Sequence, residues 1–219
     1  MSIERLTERG MSLVELLVGV AVGLTIVAAC TATLVTQVRE TRRMVLESRQ
    51  MQELRGAAER LARDLRRAGH RGEAGAGVHV AGAGPIRPNP YAPPLAPMPG
   101  EVVSYGYAST KGHADQFGVR LRDATVEWRL GPGNWQGLTD PAAVEVTELT
   151  VAPFWQDTSL APYCANPCPE HDASCPPRQR VMHYAIELQG RLPGTAQALR
   201  TFRTTVRVRN DTRVGACAP

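Results

Sequence analysis

Gly10-Met11-Ser12-Leu13-Val14-Glu15-Leu16-Leu17-Val18 opens the longest uncharged passage of the chain, and its reading decides the rest. From Leu16 to Val38, 23 residues carry no charged side chain, and Glu15 is the one charge between Met11 and Val38. About 20 helical residues cross a hydrocarbon layer of about 30 Å, so a spanning helix is expected over 11–38. The ten residues before it, Met1 to Gly10, are polar, and Arg5 and Arg9 are offset by Glu4 and Glu8. An ordinary secretory signal would start with net positive charge and end in a small-x-small cleavage site. A carboxylate inside a membrane helix costs about 2–3 kcal/mol on insertion scales, so Glu15 needs a partner or a task.

These residues resemble the cleavage and methylation signal of type IV prepilins. The resemblance implies that a membrane peptidase cuts between Gly10 and Met11, that the new Met11 amine is methylated, and that Glu15 is the retained carboxylate of the mature helix. Met11 stands where the family most often has phenylalanine. A carboxylate one turn from a positive terminal amine suits a charge pair with a neighbouring subunit in a low-dielectric bundle, so Glu15 is expected to dock subunits and set their register. Gly19 and Gly23 give a G-x-x-x-G spacing that permits close helix approach. A rival reading takes Val27-Ala28-Ala29-Cys30 as a lipoprotein signal with Cys30 lipidated, but the apolar run continues through Leu34 to Val38 with no tether after the cysteine.

Beyond Val38 no Gly or Pro appears until Gly56, and Met44, Met51, Leu54, Ala58, Leu61, Leu65 and Ala68 recur at helical spacing. Helix is expected from Ser12 to Ala68, with Gly69 and Gly72 as the stop. The opposite face carries Arg43, Glu47, Arg49, Glu53, Arg60, Arg63, Arg66 and Arg67. The stripe spans too few heptads for a free coiled coil and is followed by strand patterns, so it is expected to pack on a sheet of its own chain.

Residues 69–100 hold seven Gly and seven Pro in 32 positions, which predicts a long irregular connection. Period-two segments follow at 102–108, 117–122, 125–130, 144–154, 182–189 and 201–209. In the fifth, Met182, Tyr184, Ile186 and Leu188 alternate with His183, Ala185, Glu187 and Gln189, so one face is buried and one is wet. The expected fold is α+β: a long N-terminal helix, half transmembrane and half amphipathic, packed on a meandering antiparallel β-sheet. The divisions are leader 1–10, membrane or filament-core helix 11–38, amphipathic helix 39–69, Gly/Pro-rich loop 70–100 and sheet domain 101–219. Arg49 to Arg55, Ala62 to Gly69, Thr125 to Leu130 and Thr205 to Asn210 resemble the PilW-type minor pilins, whose fold has this layout. The GspJ-like minor pseudopilins of type II secretion share it.

Four cysteines, Cys164, Cys168, Cys175 and Cys217, lie outside the apolar segment. In an oxidising compartment they are expected to pair, and each of the three complete pairings ties Cys217 to the 164–175 group. The competing reading is a metal site from Cys164, Cys168, His171 and Cys175, whose spacings match no recognised finger. No H-E-x-x-H, phosphate loop or nucleophile elbow is present, and the five histidines are scattered singly. An enzyme is not expected, nor a cofactor or a resident metal.

The 219 residues are 43% hydrophobic and 21% charged with formal charge +4, too balanced for a histone-like binder. Lys111 is the single lysine, so the basic charge is nearly all arginine. The resemblance implies a PilW-like minor pilin: held in the inner membrane by one span with its C-terminal domain in the periplasm, processed by prepilin peptidase, then incorporated at or near the pilus tip to prime assembly. Its partners would be other minor and major pilins and the inner-membrane assembly platform. A second function, gripping DNA or a surface through Arg203, Arg207, Arg209 and the Arg60–Arg67 cluster, rests on arginine alone and predicts steep salt dependence.

Overall fold

The computed structural model describes residues 12–68, 78–82, 101–108, 114–130, 134–195, 199–209 and 211–218. Gly10, Met11 and the leader lie outside them, as does most of the 70–100 stretch. Contacts divide the chain into two units, one to Val45 and one from Leu46.

Helix α1 (Leu13–Arg67) is continuous, within a residue of the expected span at each end. Ser12 caps it: its Oγ accepts the N–H of Glu15 at 3.2 Å, and its carbonyl accepts the N–H of Leu16. In the first unit every described residue is exposed, the apolar ones included. This is the one described helix long and apolar enough to cross a membrane. In the second unit α1 buries Gln50, Leu54, Ala57, Ala58, Leu61, Ala62, Asp64 and Leu65. The expected stripe therefore packs from Gln50 onward. Met44, its first expected member, is 66% exposed, because packing has not begun at that turn.

Two antiparallel sheets form the rest of the second unit, where one meander was expected. The first runs in chain order through β1 (Val78–Val80), β2 (Glu101–Ala108), β3 (Ala114–Arg122), β4 (Thr125–Leu130) and β5 (Trp135–Gly137). The second orders β6 (Glu145–Ser159), β7 (Arg178–Arg191) and β8 (Arg200–Arg207), with β9 (Thr212–Val214) on the early part of β7. The sheets separate because β5 is not followed by a paired strand: Val144 turns back to bond the Asp140 carbonyl, and the chain enters β6 with the Val146 N–H on the Ala124 carbonyl, 2.8 Å away. β1 lies inside the Gly/Pro-rich stretch as an edge strand, Val78 opposite Tyr105 and Val80 opposite Val103.

Register builds the core. Val119 sits between Val103 and Trp128, and Phe117 opposite Tyr105, so the first sheet turns one apolar face inward. In the second, Leu188 lies between Leu149 and Phe202, and Tyr184 between Pro153 and Val206. Helix and sheet pack closely at Gly190, where an added Cβ would meet Val144 Cγ2 at 2.6 Å, the Glu145 carbonyl at 3.2 Å and Leu54 Cδ2 at 3.2 Å. The Gly190 carbonyl accepts Gln50 Nε2 at 2.8 Å, so a polar residue occupies a buried helix position there.

A second buried polar position is Asp64, 4% exposed. Its Oδ2 accepts the Tyr105 hydroxyl and Arg60 Nε, both at 3.1 Å, and the Tyr105 oxygen in turn accepts Trp128 Nε1 at 3.2 Å. Arg60 also lies over the Trp128 ring, 5.0 Å from its centroid. This network fastens the last turns of α1 to the first sheet. Removing Asp64 leaves the buried Tyr105 hydroxyl without its acceptor, at a cost of about 1–3 kcal/mol. Asp64→Ala is expected to lose stability in that range and Asp64→Asn less, since its amide oxygen still accepts the phenol. Urea unfolding followed by tryptophan emission checks both.

Candidate functional site

Three features carry the functional expectations: the apolar segment of α1, the cysteine-tied end of the second sheet, and the arginine-rich strand β8. In the apolar segment Glu15 is exposed in the first helical turn, and its backbone is fixed by the Ser12 cap. The threonine hydroxyls of this segment turn onto their own helix. Thr25 donates to the Val22 carbonyl, Thr31 to Val27, Thr33 to Ala29 and Cys30, and Thr36 to Ala32, at 2.7–3.3 Å. Glu15 is thus the one charged group in a helix surface whose hydroxyls are already satisfied. Gly19 and Gly23 have open space above them, and Cys30 is exposed with a free thiol.

The four remaining cysteines pair Cys164–Cys217 and Cys168–Cys175. β6 and β7 are joined by the Pro-rich 160–177 connection, which opens with a single turn of 3-10 helix, Ala161–Tyr163. β9 pairs with β7 at Arg178, Gln179 and Arg180, which carries the C-terminus back to that connection. Gly215, at φ 86, follows β9, and Ala216 N–H then bonds the Ser174 carbonyl. A side chain at Gly215 would run into that same carbonyl. Cysteines engaged in disulfides offer no thiolate to a metal, and among the described residues no group of three or more His, Cys, Asp or Glu could hold one.

Two of the arginines expected to meet DNA, both on β8, are paired within the chain. Arg203 pairs with Glu187 at 2.8 Å across the β7–β8 ladder. Arg207 holds Asp211 at 2.7 Å, and Arg209 is exposed. Arg60 is committed to Asp64, while Arg63, Arg66 and Arg67 face solvent. Arg180 grips Asp157 through two bonds of 2.8 and 2.7 Å and lies over Trp155. Arg191 holds Glu145 at 2.8 Å.

Four carboxylates are held below their usual range, first by the hydrogen bond from an arginine: Glu145 from Arg191, Asp157 from Arg180, Glu187 from Arg203 and Asp211 from Arg207. A lowered folded-state pKa contributes stability that is present above the ordinary values, 4.5 for Glu and 3.8 for Asp, and is lost as pH falls through the folded values. The urea midpoint is therefore expected to stay flat from pH 7 to 5 and to fall below about pH 4. Added salt should blunt the effect, since the pairs are largely exposed.

The family model described as prepilin peptidase-dependent protein B matches residues 43–208. The chain belongs to that family. It is a type IV pilus-related, pilin-like protein. The match takes in the buried half of α1 and every strand from β1 to β8, so it covers nearly all of the two-sheet unit just described. It begins at residue 43, past the apolar segment, and ends before Cys217. No curated protein matches the chain, and no solved structure does.

The sequence reading did not find Gln50, Asp64 or the aromatic pair Phe154 and Trp155. Helical spacing would have placed Asp64 on the stripe, four residues before Ala68 and three after Leu61.

Proposed function

We propose that this chain is a minor pilin of PilW type, a structural subunit rather than an enzyme, incorporated at or near the pilus tip to prime or support assembly. Prepilin peptidase cuts between Gly10 and Met11, the Met11 amine is methylated, and the 11–38 helix then lies in the inner membrane with the sheet domain in the periplasm until assembly. The reading is carried by one conjunction. A family defined by dependence on prepilin peptidase covers residues 43–208, and the same chain carries Gly10-Met11-Ser12-Leu13-Val14-Glu15 ahead of an apolar helix. Glu15, the one charge on that helix surface, is the group that docks the neighbouring subunit and sets its register. Other minor pilins, the major pilin and the assembly platform are the partners.

Intact mass of the membrane form tests the maturation step. Cells with the peptidase should yield a chain lacking residues 1–10 and bearing one added methyl group, and cells without it the full chain. Retention of the leader in the presence of peptidase would remove the reading. Deletion of the gene separates pilus from secretion: loss of surface pili and twitching supports the minor pilin, whereas loss of secreted enzymes with normal pili points to a GspJ-like pseudopilin.

A further inference from the structure

Three arginines crowd α1 just past its uncharged segment. Arg39, Arg42 and Arg43 are i, i+3 and i+4 neighbours, so they share a sector of about 100° of the helix surface. All three are exposed. Glu40, the one acid between them, stands about 100° round the helix from Arg39. In the second unit Arg180, Arg191, Arg203 and Arg207 each hold a carboxylate. Among the described residues no ion pair joins Arg39 or Arg42 to one. Depth along the helix gives the cluster its setting. The 23 uncharged residues from Leu16 to Val38 rise about 34 Å, a little more than the roughly 30 Å of a hydrocarbon core. Arg39 therefore emerges where the headgroups begin. A headgroup layer is about 5–7 Å thick, and the chain from Arg39 to Arg43 rises about 6 Å.

We infer that Arg39, Arg42 and Arg43 bind the headgroup of an anionic phospholipid in the leaflet where the span ends. A guanidinium fork gives two parallel hydrogen bonds to a phosphodiester. A zwitterionic headgroup carries its own cation beside the phosphate and weakens the attraction, whereas one with net negative charge does not. The helix surface beneath the arginines suits the rest of the molecule. Val35 lies four residues before Arg39 and Val38 four before Arg42, and both are exposed, so the acyl chains meet hydrocarbon below the charge. A nucleic acid or an acidic protein would need the arginines clear of the bilayer, and the helical rise sets them within its headgroup layer. The inference rests on the membrane span of the proposed function and on neither cleavage nor filament assembly.

The test uses the full chain reconstituted in phosphatidylcholine vesicles that hold a trace of spin-labelled phosphatidylglycerol or spin-labelled phosphatidylcholine. Electron paramagnetic resonance reads the fraction of each probe slowed at the helix surface. At low salt the slowed fraction of phosphatidylglycerol should exceed that of phosphatidylcholine severalfold. The excess should shrink toward 1 M salt, where the screening length falls to about 3 Å. The triple variant Arg39→Gln, Arg42→Gln, Arg43→Gln changes exposed helical positions to a good helix former. It should lose the excess and keep the phosphatidylcholine fraction. Arg63→Gln, Arg66→Gln, Arg67→Gln, in the other unit, should keep the excess. Equal fractions in the wild type, an excess indifferent to salt, one that survives the first triple, or one lost in the second refutes the site. No slowed fraction with either probe removes the span and the site together, whereas retention of the leader would leave the site standing.

Discussion

The double substitution Cys164→Ser, Cys217→Ser is expected to lower unfolding stability by about 4 kcal/mol. The bridge closes a loop with a sequence separation of 53. In the chain-entropy picture, closing a loop of that length in the unfolded state contributes about that much. The comparison with Cys168–Cys175, separation 7, separates entropy from packing. The shorter loop should contribute about 2 kcal/mol by the same relation, so the two doubles should rank clearly apart in urea. Equal losses would mean that local packing around Cys175, a buried residue, outweighs loop closure.

Gly190→Ala is the second large effect, expected at about 1–3 kcal/mol and toward the upper end, the range for forcing a methyl into a packed core. The new Cβ would lie 2.6 Å from Val144 Cγ2, and Val144 is fully buried with no room to give. A backbone carbonyl, that of Glu145, blocks a second direction. Any retreat of β7 also draws its carbonyl away from Gln50 Nε2. The signature is coupling: Gln50→Leu should cost less in the Gly190→Ala background than in the wild type, because the shared contact is already loosened.

The helix and six of the nine strands among the described residues are legible in the sequence because each is long enough to show its period. β1, β5 and β9 have three residues apiece, too few for alternation, and exist because a neighbouring strand offers them a partner. The expected end of β6 at 154 falls short of Ser159 for a related reason. Beyond Val151 neither face is buried, so nothing there constrains the side chains to alternate. Gln50 and Asp64 escaped because a polarity pattern records them as solvent-facing, whereas their partners, Gly190 and Tyr105, lie far along the chain. The cysteine pairing needed β9 placed against β7, which no spacing rule supplies.

The Cys164–Cys217 bond also has a mechanical meaning when tension is applied along the chain. The stretch it closes holds all of β7, β8 and β9, so most of the second sheet lies within one covalent ring. Tension entering from the helix side can straighten residues up to Cys164 and then meets a covalent stop. At about 3.4 Å per extended residue, roughly 180 Å of chain stays locked in the ring. Reduction of that one bond would turn a load-limited subunit into one that can be drawn out to its last strand.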